Sequence, residues 1–112
     1  MCLFCKIVRR EVSSDIVLEN DEILAFKDVR PVAPVHVLVI PKRHIECLHD
    51  ALPEDAALLG RMLLAAREVA ETLGLGASGY RVVLNTGAHA GQSVLHVHAH
   101  VLGGRSLAWP PG

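Results

Sequence analysis

Aromatic side chains are scarce in this sequence, with two Phe, one Tyr and one Trp, and residues 72–112 contain no Asp or Glu at all. There is no surplus of positive charge either. The 11 Lys and Arg stand against 12 Asp and Glu, a formal net charge of -1. That balance offers little grip on a phosphate backbone, so no nucleic-acid partner is expected. The longest apolar runs, Val32 to Ile40 and Val94 to Leu102, are broken by His and Pro. They fall short of the ~20 residues a membrane span needs. Lys6, Arg9, Arg10 and Glu11 interrupt any secretory pattern near the start, so a cytoplasmic setting with no membrane partner is expected. Three cysteines, an odd number without an export signal, point to reduced thiols or metal rather than to a disulfide framework.

What is present is apolar content and histidine. Half of the 112 residues are hydrophobic, 51%, and a chain of this length buries roughly two-thirds of its unfolded surface. One domain spanning 1–112 is the expectation. Leu3 to Val8 reads as a short helical or irregular opening, and Ile16 to Leu18 and Glu22 to Lys27 as strands of a hairpin turning at Asn20-Asp21. Val35 to Ile40 is a β-rich run stopped by Pro41. From Pro53, apolar residues recur at helical spacing (Leu59, Met62, Leu63, Ala66, Val69, Ala70, Leu73), with Gly74 as the stop. Tyr80 to Thr86 and Val94 to Leu102 read as two further strands, and the tail from Ala108 as irregular. Five strands with short connections and one long helix between the third and fourth predict the α+β class, an antiparallel sheet covered by helix.

The seven histidines include His96, His98 and His100 in the strictly alternating run from Leu95 to Val101. On a strand, that period sets three imidazoles on one face over ~13 Å and turns the aliphatics towards the core. A single histidine such as His49 or His89 reads as a solvated polar group. Three in register break the economy of an aliphatic sheet, as functional sites do. Two chemistries use such a row. It can hold a catalytic zinc with one open position. Alternatively, a neutral imidazole attacks phosphorus directly. The absence of carboxylates after Glu71 favours the second, although a general base can arrive from the earlier chain. Gly91-Gln92-Ser93 stands just before the row, where a glycine turn and successive backbone N–H groups suit an oxyanion.

The string from Gly91 to Arg105 resembles the signature of the histidine triad (HIT) family, His-x-His-x-His with apolar residues between. The similarity extends over Phe4-Cys5-Lys6-Ile7, Ala25-Phe26-Lys27-Asp28 and His36 to His44. It ends at Trp109-Pro110-Pro111-Gly112, a tail resembling the Hint branch of nucleoside phosphoramidate hydrolases. The resemblance implies a HIT-like fold of five strands with one long and one short helix. It implies that His98 is a nucleophile forming a covalent nucleotidyl-histidine, that His96 and His100 complete the triad, that Ser93 stands beside the leaving group, and that His36 is a fourth histidine nearby. Asn85, Gly91 and Gln92 are implied at the phosphate and Asp28 at the ribose. Leu3, Phe4, Ile7, Phe26 and Val29 are implied by the same resemblance to form an apolar slot for a purine. No cofactor is needed for that chemistry.

Cys2-x-x-Cys5, with His44 and His96 later, forms a possible structural zinc set of the kind held by some relatives. The tail is implied to cross a two-fold homodimer and place Trp109 near the partner's site. The expected function is hydrolysis of purine nucleoside 5'-phosphoramidates to the nucleoside monophosphate. The alternatives are a zinc hydrolase using the triad directly, a dinucleoside polyphosphate hydrolase, and a nucleotide-binding module with vestigial activity. Departures from the pattern are Leu95, Ala99 and Lys27, none of which touches the nucleophile.

Overall fold

The computed structural model describes residues 2–112. Its elements are α1 (Leu3–Val8), β1 (Ile16–Glu19), β2 (Ile23–Lys27), β3 (Val35–Pro41), α2 (Ala56–Thr72), β4 (Tyr80–Val83) and β5 (Ala99–Gly103), with short 3-10 turns between. The five strands form one antiparallel sheet in the order β1-β2-β3-β5-β4. This is the α+β architecture expected, with one long and one short helix.

Alternation along the strands divides the core in two. Ile23, Ala25, Val37, Val39, Ala99 and Val101 face α2, where Met62, Ala66, Val69 and Ala70 close over them. Leu24, Phe26, Leu38 and Ile40 face the other way and are covered by Phe4 and Ile7 of α1. Ile23 to Phe26 of β2 and Val37 to Ile40 of β3 therefore read as unbroken apolar runs because both their faces are buried. Helix α2 ends where the sequence puts its stop. Gly74 takes a left-handed φ of 75°, its N–H donates to Glu71 O, and Leu75 N–H reaches back to Ala70 O at 2.8 Å. That pair of bonds is a Schellman cap, and it needs a residue tolerant of positive φ.

The two later strands are shorter than the sequence pattern predicts. β5 pairs with β3 only from Ala99, opposite Val39, to Gly103, so residues 94–98 run outside the ladder. Extending it would bring Pro41, which has no N–H to give, into the pairing. Instead Pro41 O accepts from the His96 ring at 2.7 Å, and Val97 N–H donates to Ile45 O. β4 stops at Val83, opposite His100, because its partner begins one residue earlier at Ala99. Leu95, expected to point into the core, is 59% exposed, whereas Val97, Ala99 and Val101 are buried. Among the described residues no helix is long and apolar enough to cross a membrane.

Candidate active site

His36 and Leu38 of β3 share a sheet face with His100 of β5, since Leu38 stands directly opposite His100 in the register. α1 packs on that same face, and the edge of Phe4 meets both His96 and His98, with ring centroids 5.9 and 5.1 Å apart. The His98 and His100 centroids are 5.0 Å apart, and those of His100 and His36 are 5.1 Å apart. His98, His100 and His36 thus form a row, which His96 adjoins through Phe4; of the triad only His100 lies within a strand.

The backbone fixes the proton on every ring. A carbonyl oxygen can only accept, so a ring nitrogen bonded to one carries hydrogen. His98 Nδ1 lies 2.7 Å from His96 O, which places its proton there and leaves Nε2 with a free lone pair. His96 Nε2–H donates to Pro41 O, leaving Nδ1 as its lone-pair atom. Val32 N–H donates to His36 Nδ1 at 3.2 Å, so His36 carries its proton on Nε2 and donates to His100 Nδ1 at 2.9 Å. The proton of His100 is consequently on Nε2. His98 offers a nucleophilic nitrogen and His100 a donor.

Burial favours the neutral form of His36, His96 and His100. Desolvation, aided by the neighbouring His98 and His36, pushes His100 from the ordinary 6.5 to about 4. Burial lowers His36 as well, against the opposing pull of Asp28. It also lowers His96, despite the Pro41 hydrogen bond.

His98 and His100 line one end of a cleft of about 510 Å³ whose remaining walls are mainly apolar. Leu3, Phe4, Ile7, Phe26 and Val29, the residues implied as a purine slot, all line it, as do Asp28 and Ser93. Val29 is 92% exposed, so it sits at the rim rather than in the floor. Asp28 Oδ1 accepts from Arg30 N–H at 2.8 Å, and Oδ2 lies 3.4 Å from His36 Nε2. Sequence reasoning did not find Val12, Ser13, Ser14 and Arg30, which also line the cleft. They lie in connecting segments with no periodicity to flag them.

Asn85, Gly91, Gln92 and Trp109 are not among the lining residues. Gly91 turns the chain with a left-handed φ of 83°, and its N–H and that of Gln92 bond Ala88 O and Gly87 O within the turn. Two of the three amides expected to converge on an anion are therefore already used, and Ser93 is the residue of that segment facing the cleft. The Gln92 side chain ties the loop together: Nε2–H donates to Glu46 O at 2.7 Å and to Val94 O, while Oε1 accepts from Gly87 N–H. Trp109, 78% exposed, lies under the Arg81 guanidinium at 5.8 Å, and Arg81 Nη2 donates to Ala108 O.

On the far side of His96, Cys2 Sγ, Cys5 Sγ, His44 Nδ1 and His96 Nδ1 lie within 4.8 Å of one another. The His96 lone pair points at this group, 3.3 Å from Cys2 Sγ, 3.6 Å from Cys5 Sγ and 3.3 Å from His44 Nδ1. A tetrahedral zinc with ordinary bond lengths spaces its ligand atoms ~3.4–3.8 Å apart, so the set fits that ion with small adjustment. Asp28, His36 and His100 also converge. There a cation on His36 Nε2 would drive the proton onto Nδ1 against the Val32 amide. Among the described residues, His96, His98 and His100 do not form a converging ligand set.

A five-stranded sheet that carries a row of imidazoles at the end of one cleft defines the histidine-triad class. The model of the HIT domain matches residues 9–107, and the chain belongs to that family. It is 57% identical over 110 residues to an uncharacterized HIT-like protein of Synechocystis, covering 98% of this chain and 96% of the relative. Its fold is similar to the crystal structure of a HIT family hydrolase from Legionella pneumophila, with a TM-score of 0.98 and 47% identity over the whole of both chains. It is also similar to a histidine triad nucleotide-binding protein from Candida albicans. That match has a TM-score of 0.83 and 34% identity, covering 98% of this chain and 83% of the other.

Proposed function

We propose that the protein hydrolyses purine nucleoside 5'-phosphoramidates, or related nucleotidyl adducts, to the nucleoside monophosphate through His98. The observation that carries this reading is the Nδ1–H bond of His98 to His96 O, which leaves Nε2 as the lone-pair atom of a ring that lines the cleft. The nucleotide-binding name of the Candida relative and the hydrolase name of the Legionella relative agree with it. The apolar walls receive the base, Asp28 the ribose hydroxyls, and His100 Nε2–H and Ser93 the phosphate oxygens.

The lone pair of His98 Nε2 attacks phosphorus. The P–N bond of the substrate breaks, its electron pair stays on nitrogen, and that nitrogen takes up a proton from solvent and leaves as the amine. Water then attacks the nucleotidyl-histidine, the P–Nε2 bond breaks, and imidazole recovers its pair while the water proton passes to solvent. One water is consumed. The donors at His100 and Ser93 meet charge that grows on the oxygens in both steps. Adenosine 5'-phosphoramidate should yield AMP, and His98→Ala should abolish turnover; an unchanged rate in that variant would remove His98 from the reaction.

Cys2, Cys5, His44 and His96 are proposed to hold a structural zinc, which when bound would tie α1 to the loop after β3. Catalysis itself needs no cofactor in this account. A two-fold homodimer is proposed as well, pairing the β4 edge, where Tyr80 and Val82 are exposed. An open edge of this kind favours strand pairing.

A further inference from the structure

A second cleft, of about 550 Å³, adjoins the first and shares Leu3, Ser93 and Val94 with it. Its own walls include His44, Glu46 and Leu95. We propose that this cleft receives the departing amine of the substrate and that Glu46 favours amines whose tail ends in a positive charge. The inference rests on the phosphoramidate reading above.

Three features support it. Displacement at phosphorus requires the leaving group to depart away from the attacking nitrogen, and the apolar cleft is taken by the nucleoside. Ser93, common to both cavities, stands where the departing nitrogen passes from one to the other. Glu46 is the one carboxylate among the described residues lining the second cleft, whose wall also includes Cys2 and His44 of the zinc set, while Leu3 and Leu95 supply apolar surface for an alkyl stem. The Glu46 backbone is anchored, because Gln92 Nε2–H donates to its main-chain carbonyl at 2.7 Å and ties the Gly91–Ser93 loop to the loop after β3.

The test compares three adenosine 5'-phosphoramidates of matched length, made from 1,3-diaminopropane, propylamine and β-alanine, whose tails are positive, neutral and negative. The readout is the ratio of kcat/KM between the positive and negative tails, taken within each protein. Wild type should favour the positive over the negative tail by roughly threefold or more, with the neutral tail between them, as an exposed ion pair allows. Glu46→Gln should bring the tail preference to near unity and Glu46→Lys should reverse it. A ratio that is the same in all three proteins overturns this inference and leaves the hydrolysis standing. If folded wild-type protein cleaves none of the three compounds, the proposed hydrolysis falls and this inference with it.

Discussion

His36 Nε2 stands 2.9 Å from His100 Nδ1, and the proton between them belongs to His36 because Val32 N–H already occupies the other His36 nitrogen. A loop amide thereby determines which nitrogen of His100 faces the cleft as a donor. His36→Phe should lower kcat by roughly 10- to 100-fold with KM little changed, by analogy with the loss found when the hydrogen-bond partner of a metal-bound imidazole is removed. Nitrogen NMR of the His100 ring should show loss of the pure Nε2–H form in the variant. An intact tautomer with a normal rate would contradict the relay.

The same relay has a handle outside the site. Val32→Pro deletes the amide hydrogen that His36 Nδ1 accepts, while Val32→Ala keeps it; the side chain itself is largely exposed. Arg105 Nη2 holds Val32 O at 3.0 Å, so the loop is anchored from the strand side. The proline variant should lose activity by an amount approaching that of His36→Phe, and the alanine variant should match wild type. Steady-state kinetics on both, with circular dichroism to confirm folding, checks this.

Acid should weaken the fold in two separate windows. His100 is depressed from 6.5 to about 4, and burial moves His36 and His96 in the same direction. The unfolded chain therefore binds more protons than the native one between these values. The stabilisation is complete above pH 6.5 and is lost as the pH falls towards 4. Asp55, lowered by the Leu52 N–H and by Arg43, contributes above its ordinary 3.8 and loses that contribution only below it. Urea midpoints should decline from pH 6.5 to 4 in wild type and less steeply in His100→Gln. Equal slopes would contradict the neutral, buried state of that ring.

The period of two in the run from Leu95 to Val101 made the histidine row legible, and the helical spacing between Leu59 and Leu73 did the same for α2. Much of the rest was hidden because backbone hydrogen bonds decide it. Nothing in the sequence signals that Pro41 O would take the His96 ring, and with it end β5 at Ala99. The amides of Gly91 and Gln92 looked like an anion cradle, yet the tight turn uses both. Val12 to Ser14 reach the cleft only because α1 folds across the sheet face, a long-range contact with no local pattern. Cys2-x-x-Cys5 was visible as a pair, whereas the direction of the His96 lone pair towards it was not.

If zinc binds at that group, metal analysis of purified protein should find about one ion per chain, and Cys5→Ser should lose it. Burial and the adjacent Cys2 thiol raise the Cys5 pKa, which favours the protonated thiol until a cation draws it down. The variant should melt at a lower temperature and bind nucleotide more weakly, since α1 supplies Leu3, Phe4 and Ile7 to the cleft. A metal-free wild type with the same melting temperature after zinc addition would rule the centre out.

Rapid quenching of the reaction with adenosine 5'-phosphoramidate in alkaline denaturant, which preserves a P–N bond to imidazole, followed by peptide mass spectrometry at neutral to alkaline pH, examines the nucleophile directly. An adenylyl group should appear on the peptide containing His98 and be absent from His98→Ala. Full turnover by wild type with oxygen-18 from water entering AMP, and no adduct on any histidine at the earliest quench times, would show that water attacks phosphorus in one step.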